Sequence, residues 1–202
     1  MEELNEHLYF LLNAPADASQ HMILFASGLA EWLVWLIPLG LIAGWLSSSR
    51  STRGALLSAS VSGLAGLLVN QLIGLVWYHP RPFELGLGNS FLQHVQDSSF
   101  PSDHLTLIWA VAFSLLLHER PRLAGVVLAL LGLPVAWARI YLGVHFPLDM
   151  LGAAGVAFFS AYLIFREERW IVEPLLRSVQ PFYRLLFAPL FALDGYENDE
   201  VR

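Results

Sequence analysis

The chain of 202 residues has no cysteine and no lysine. Without thiols, disulfides, thiolate nucleophiles and cysteine metal ligands are all excluded, and the redox compartment leaves no trace in the sequence. Without lysine, all eleven basic residues are arginine, a bias for which the sequence offers no physical reason. A basic surface is lacking too: the net charge of -6 speaks against a nucleic-acid partner, whose backbone calls for positive charge. The first residues also lack the basic start of a secretory leader, because Glu2 and Glu3 stand there and no arginine precedes Arg50. There is no internal repeat and no sign of a second domain.

What is abundant is apolar. Hydrophobic residues make up 56% of the chain and its mean hydropathy is +0.56, whereas soluble domains hold roughly 45–50% apolar residues. These residues come in long blocks rather than in the alternation of a half-buried sheet, so lipid is the expected solvent. About 20 apolar residues cross a membrane as a helix. Five blocks qualify, near Met22 to Leu46, Gly54 to Tyr78, Pro101 to Leu117, Leu123 to Tyr141 and Pro147 to Phe165. The expected fold is therefore all-α, a polytopic bundle of about five transmembrane helices in one domain spanning residues 1–202. Residues 1–20 form an N-terminal segment whose Met1 to Asn13 part alternates acidic and apolar positions, as in a helix lying in the membrane interface. Residues 166–202 form a tail with an interfacial helix and an acidic end.

Arginine placement orients the bundle, since short cytoplasmic loops are enriched in basic residues. Arg50 and Arg53 follow the first span, Arg120 and Arg122 the third, and Arg166, Arg169, Arg177 and Arg184 the fifth. That side is the expected cytoplasmic side of the membrane. The N-terminus, the loop from His79 to Phe100 and the turn at Gly143 then face outward.

Three polar stretches fall on that outer face: His79-Pro80-Arg81-Pro82-Phe83, Ser98-Ser99-Phe100-Pro101-Ser102-Asp103-His104, and the run from Arg139 to Asp149. Together they suit a phosphate group. Arg81 and Arg139 are permanently charged forks that bind phosphoryl oxygens and stabilise the charge spread over them during transfer. Ser102 precedes a spanning helix, so its hydroxyl and the free amides of the first turn add donors. His145 and Asp149 are four residues apart, which brings them onto one helical face. The carboxylate then fixes the imidazole tautomer and leaves the other nitrogen free to attack phosphorus. His145 is the expected nucleophile. His104, a second imidazole, is the expected general acid for the departing oxygen.

Each residue also has a plainer reading. Arginines and histidines at membrane interfaces often anchor helices against headgroups, and Asp149 suits a helix N-terminus in any case. The signal lies in the combination. Glu31 sits within the first span, where an ionisable group costs about 2.5–3.5 kcal/mol on insertion scales. It is expected either to support Arg81 or the site wall, or to be a neutral, hydrogen-bonded carboxyl. His94 and Asp97 read as solvated loop residues.

These stretches resemble the type 2 phosphatidic acid phosphatase superfamily, whose signatures are Lys-x6-Arg-Pro, Pro-Ser-Gly-His and Ser-Arg-x5-His-x3-Asp. Arg139, His145 and Asp149 match the third, with Ala138 in place of its serine. Pro101, Ser102 and His104 match the second, with Asp103 in place of glycine. Arg81 and Pro82 match the end of the first, but Gly74 stands where its lysine belongs, and His79, Asn70 and Gln71 are the candidate replacements. Residues 99–104 and 136–152 look like those of the bacitracin-resistance-type undecaprenyl diphosphatases, which carry Pro-Ser-Asp-His.

The resemblance implies transfer of a terminal phosphoryl group to a histidine followed by hydrolysis, without metal or other cofactor. It makes His145 the nucleophile, Asp149 its partner, His104 the acid, and Arg81, Ser102 and Arg139 the phosphate ligands. The implied activity is hydrolysis of undecaprenyl diphosphate to undecaprenyl phosphate, with a polyprenyl diphosphate and membrane lipids as partners. A phosphatase or phosphotransferase acting on lipid A or phosphatidylglycerophosphate would use the same residues. A non-catalytic transporter or interaction protein for anionic lipids is the alternative of another class, and it leaves the His145 and Asp149 spacing beside His104 without a purpose.

Overall fold

The computed structural model describes residues 2–47 and 49–191, and the acidic end expected beyond them lies outside the described residues, as does the side chain of Arg184. Helices α1 (Glu2–Leu12), α2 (Gln20–Trp32), α3 (Leu36–Ser47), α4 (Arg50–Val76), α5 (Asp103–Leu116), α6 (Arg122–Tyr141), α7 (Pro147–Arg166) and α8 (Glu168–Phe191) follow in order, with no strand among the described residues. The stretches Gln20–Ser47, Ser51–Val76, Arg122–Tyr141 and Pro147–Arg166 are long and apolar enough to cross a membrane. With the shorter apolar α5 they make the expected all-α membrane bundle. Large apolar side chains such as Leu24, Leu72, Leu130 and Phe159 are exposed on its outside, where lipid rather than water is their natural neighbour.

The first apolar stretch is not one continuous helix. Pro38 has no N–H to donate to the carbonyl four residues back, and its ring crowds that carbonyl. The chain tightens instead into a 3₁₀ turn at Leu33–Trp35, whose Leu33 and Val34 carbonyls accept from the Leu36 amide.

The 14-residue helix α5 lies at the centre, packed against α4, α6 and α7 with most of its residues buried. It is about 21 Å long at 1.5 Å per residue, shorter than a hydrocarbon layer of about 30 Å. Wrapped by protein, it has no lipid thickness to match. Small residues let its neighbours come close, as membrane helices require when lipid is as apolar as their side chains. A Cβ at Gly66 of α4 would stand 2.8 Å from the Thr106 methyl of α5.

Helix α1 is tied into the bundle by buried polar side chains. Tyr9 is fully buried and its hydroxyl donates to the Leu87 carbonyl at 3.2 Å. The Asn13 amide donates to the carbonyls of Asn89 (2.9 Å) and Tyr141 (3.1 Å), and Asn5 Oδ1 accepts from the Leu148 amide at 3.0 Å. These bonds tie the 79–102 loop to the junction of α6 and α7. At the far end, His118 and Glu168 meet at 3.0 Å and fasten α8 to the end of α5.

Candidate active site

The end of α4, the start of α5 and the α6–α7 junction meet at one end of the bundle. The turn at 142–146 is possible because Gly143 adopts φ +83°, a region that other residues enter at a cost. A Cβ there would also run into the Asn89 carbonyl oxygen. The turn presents His145, and Pro147 then opens α7 at its first position, where a missing N–H does no harm. Asp149, in the first turn, accepts the Phe146 amide at 2.8 Å and so caps the helix that carries it.

The same Asp149 oxygen, Oδ2, lies 3.1 Å from His145 Nδ1 and accepts a short hydrogen bond from the Ser99 hydroxyl. His145 Nε2 lies 3.1 Å from Arg81 Nη1. A guanidinium only donates, so Nε2 must be the unprotonated nitrogen and Nδ1 carries the proton towards Asp149. Burial, followed by the charges of Arg139 and Arg81, holds the His145 imidazole well below its usual range. Its contact with Asp149 is therefore a hydrogen bond from a neutral ring rather than an ion pair. A neutral, oriented imidazole with an unprotonated nitrogen is what nucleophilic attack requires, once a phosphate draws Arg81 off the Nε2 lone pair.

Arg81 is almost wholly buried and fixed from three sides. Nη1 donates to the Val144 carbonyl at 2.8 Å, Nη2 to the Ser98 carbonyl at 3.4 Å, and Nε to Asp97 Oδ1 at 2.8 Å. Arg139 is buried on α6, with Nη1 on the Ala30 carbonyl (3.4 Å) and Nη2 on His94 Nε2 (3.1 Å). Its Nε is a buried donor with no hydrogen-bond partner among the described residues, and the Ser102 hydroxyl is another such orphan. Ser102 caps none of the first-turn amides of α5 with its side chain. Buried donors without partners are costly, and an anion accepting from them would remove that cost.

The structure thus brings Arg81, Ser102, Arg139, His145 and Asp149 to one place. His104 is close enough for its charge to act on His145, and it makes no side-chain hydrogen bond among the described residues. No group of three or more His, Asp or Glu side chains among the described residues is placed to hold a metal ion. Glu31 is exposed, and its charge acts on Arg139. Of the candidate lysine replacements, Asn70 Nδ2 donates to Asp103 Oδ1 at 2.8 Å and to Thr106 Oγ1 at 3.0 Å, and Gln71 Nε2 to Asp103 Oδ2 at 3.2 Å. Both serve the carboxylate that stands where the resemblance expects glycine. His79 is left with a buried, unpartnered Nδ1. Position 74 itself is crowded, because a Cβ there would lie 3.2 Å from Ser98.

His94 corrects the reading from sequence, because it is half-buried and holds Arg139, whereas Asp97 is the exposed loop residue expected and pairs with Arg81 as well. Ser99 was also passed over as an individual residue. Its position just before the Pro101-Ser102 helix start was the available signal, but its contact with Asp149 spans 50 residues and leaves no periodic mark.

Residues 55–172 match the PAP2 superfamily. The chain is 36% identical over 191 residues to the protein YbjG of Escherichia coli (strain K12), covering 93% of this chain and 94% of that one. It is 38% identical over 162 residues to the undecaprenyl-diphosphatase BcrC of Bacillus subtilis (strain 168), covering 80% and 82%. Among solved structures, LpxE of Aquifex aeolicus superposes with a TM-score of 0.68 at 22% identity, over 81% of this chain and 95% of that one, a likeness of fold.

Proposed function

The chain belongs to the PAP2 superfamily, and from that membership we propose that it removes the terminal phosphate of undecaprenyl diphosphate and leaves undecaprenyl phosphate. The observation that carries this reading is the neutral His145, whose Nε2 lone pair faces Arg81 at 3.1 Å while Asp149 takes the Nδ1 proton side. The Bacillus subtilis relative, an undecaprenyl-diphosphatase, supplies the substrate class.

In this mechanism Nε2 attacks the terminal phosphorus and the bond from phosphorus to the bridging oxygen breaks. The leaving lipid monophosphate takes its proton from His104. Arg81, Arg139, Ser102 and the first amides of α5 stabilise the charge on the equatorial oxygens. Asp149 stabilises the positive charge that His145 gains. Water, giving its proton to the now neutral His104, then cleaves the phosphohistidine and releases inorganic phosphate. The arginine distribution supports a plasma-membrane protein with this site on the outer face and its C-terminus in the cytoplasm.

Purified protein in detergent with chelator present should be given polyprenyl diphosphate, phosphatidylglycerophosphate, phosphatidic acid and lipid A, and initial rates of phosphate release compared. The diphosphate is expected to turn over fastest, with inhibition by vanadate. A faster rate on another lipid overturns the substrate, and silence on all four with binding retained overturns the enzyme.

A further inference from the structure

The two arginines of the site are held by one loop. Arg81 donates from Nε to Asp97 Oδ1 at 2.8 Å, and its Nη2 lies 2.7 Å from the same oxygen in an ion pair. Its other partners are a ring nitrogen and two backbone carbonyls, which fix it in place. Asp97 is the solvent-facing half of that pair, since its side chain is 53% exposed against 5% for Arg81. Three residues earlier, His94 Nε2 accepts from Arg139 Nη2 at 3.1 Å, and its Nδ1 bonds the Val95 carbonyl at 3.1 Å. The His94 and His145 rings stand edge to face, with centroids 6.4 Å apart. His94 thus borders the nucleophile directly.

We propose that His94 is the element that recognises a diphosphate and that Asp97 holds Arg81 until it arrives: the terminal phosphate takes the seat of the Asp97 carboxylate on Arg81, and His94 turns from Arg139 to the phosphate that stays on the lipid. This inference rests on the reading of the substrate given above. A carboxylate on a guanidinium makes the same kind of charge-assisted contact as a phosphate, and a diphosphate with its greater charge displaces it. Burial and the charges of Arg81 and Arg139 hold the free His94 imidazole below its usual range, and only the negative charge of a diphosphate facing Nε2 lets it take a proton from solvent and become a donor. The loop then supplies a cationic contact that Gly74, without a side chain, cannot give. A monoester has no second phosphate to offer, so it gains nothing from His94.

His94→Ala, His94→Gln and Asp97→Asn should be compared with wild type on polyprenyl diphosphate and on a polyprenyl monophosphate. Both His94 variants are expected to raise KM for the diphosphate about tenfold, the effect of one lost bond to a charged group, with much smaller changes in kcat and in the monophosphate KM. Asp97→Asn is expected to lower the diphosphate KM about threefold by removing a competitor. Equal losses on both lipids, or full rescue by His94→Gln, which still accepts from Arg139, would show a mere brace and overturn the proposal. Inorganic pyrophosphate as a competitive inhibitor separates this idea from the substrate assignment. Whatever lipid the enzyme prefers, pyrophosphate should inhibit wild type about tenfold more strongly than His94→Ala, whereas phosphate inhibits both alike. Equal inhibition by pyrophosphate refutes the loop's role, and failure to cleave polyprenyl diphosphate refutes only the substrate.

Discussion

The two ends of the bundle are built on opposite plans from the same helices. At one end, Arg81, Ser99, Ser102, Arg139, His145 and Asp149 are all buried and most are hydrogen-bonded into a single network. At the other, α3, α4, α5 and α6 leave a cavity of about 570 Å³ lined by apolar groups such as Leu36, Leu56, Val111 and Leu128. Lipid tails are as apolar as these side chains, so a loose apolar end loses little in a membrane. A loose polar end would leave buried donors and charges unmatched, at several times the cost per group. Rigidity is concentrated where charge must be placed, which is also where preorganised donors serve a transition state.

The contrast breaks most severely at the nucleophile. His145→Ala is expected to reduce phosphate release by about 10⁴-fold or more, with the protein still folded in detergent. Asp149→Asn should cost roughly 10²–10⁴-fold, because an amide fixes the ring's tautomer less well. Ser99→Ala removes a bond to Asp149 without touching the nucleophile's free nitrogen, so about a tenfold loss in kcat with KM held is expected. Initial rates of the purified variants check all three. Turnover retained in His145→Ala would remove the assignment, and a Ser99→Ala loss confined to KM would make Ser99 a phosphate ligand rather than a positioning residue.

Much of this end was legible in the sequence, and the reasons are local. The spacing of His145 and Asp149 fixes their contact through helix geometry alone, and Pro147 marks where that helix begins. Apolar blocks gave the helices, because length against bilayer thickness is a one-dimensional property. The break at Leu33–Trp35 was legible in principle through Pro38. The roles of His94, Asp97 and Ser99 were not, since they arise from a loop folded across 16 to 50 residues of separation. Helix α1 was half legible: its pattern shows an amphipathic helix, but nothing local reveals that Tyr9 and Asn13 anchor the distant loop.

Acidity sharpens the comparison, because a histidine at each end responds with opposite sign. His145 is held well below its usual range by burial and by Arg139 and Arg81. The unfolded chain, titrating near about 6.5, takes up a proton that the folded site refuses, so stability falls as pH drops below that value. At the far end, His118 bonds the Ser114 carbonyl through Nδ1 (2.7 Å) and Glu168 through Nε2 (3.0 Å), and both acceptors require a protonated ring. Burial opposes that charge, but the bonds to Glu168 and Ser114 prevail and the pKa is raised. Its contribution is complete below about 6.5 and is lost as pH rises through the raised value. Thermal unfolding from about pH 5 to 8 should show the acid loss diminished in His145→Ala and the alkaline loss diminished in His118→Ala, each by about 2–4 °C. The same signs in both variants would defeat this account. The acid limb of kcat/KM should likewise fall below about 6.5, since His145 stays neutral there.

The smallest expected effect tests the loose end directly. Gly40 lines the apolar cavity, and a Cβ added there meets nothing within 4 Å. Gly40→Ala restricts the unfolded chain and places a methyl in open apolar space, so a gain of about 0.4–1 kcal/mol is expected, with turnover unchanged. At the site end the same change at Gly143 must force a positive φ and drive a methyl against Asn89, and there both stability and turnover should fall. If Gly40→Ala instead lowers turnover as Gly143→Ala does, the cavity is coupled to the chemistry across the length of α5, and the two ends are one device.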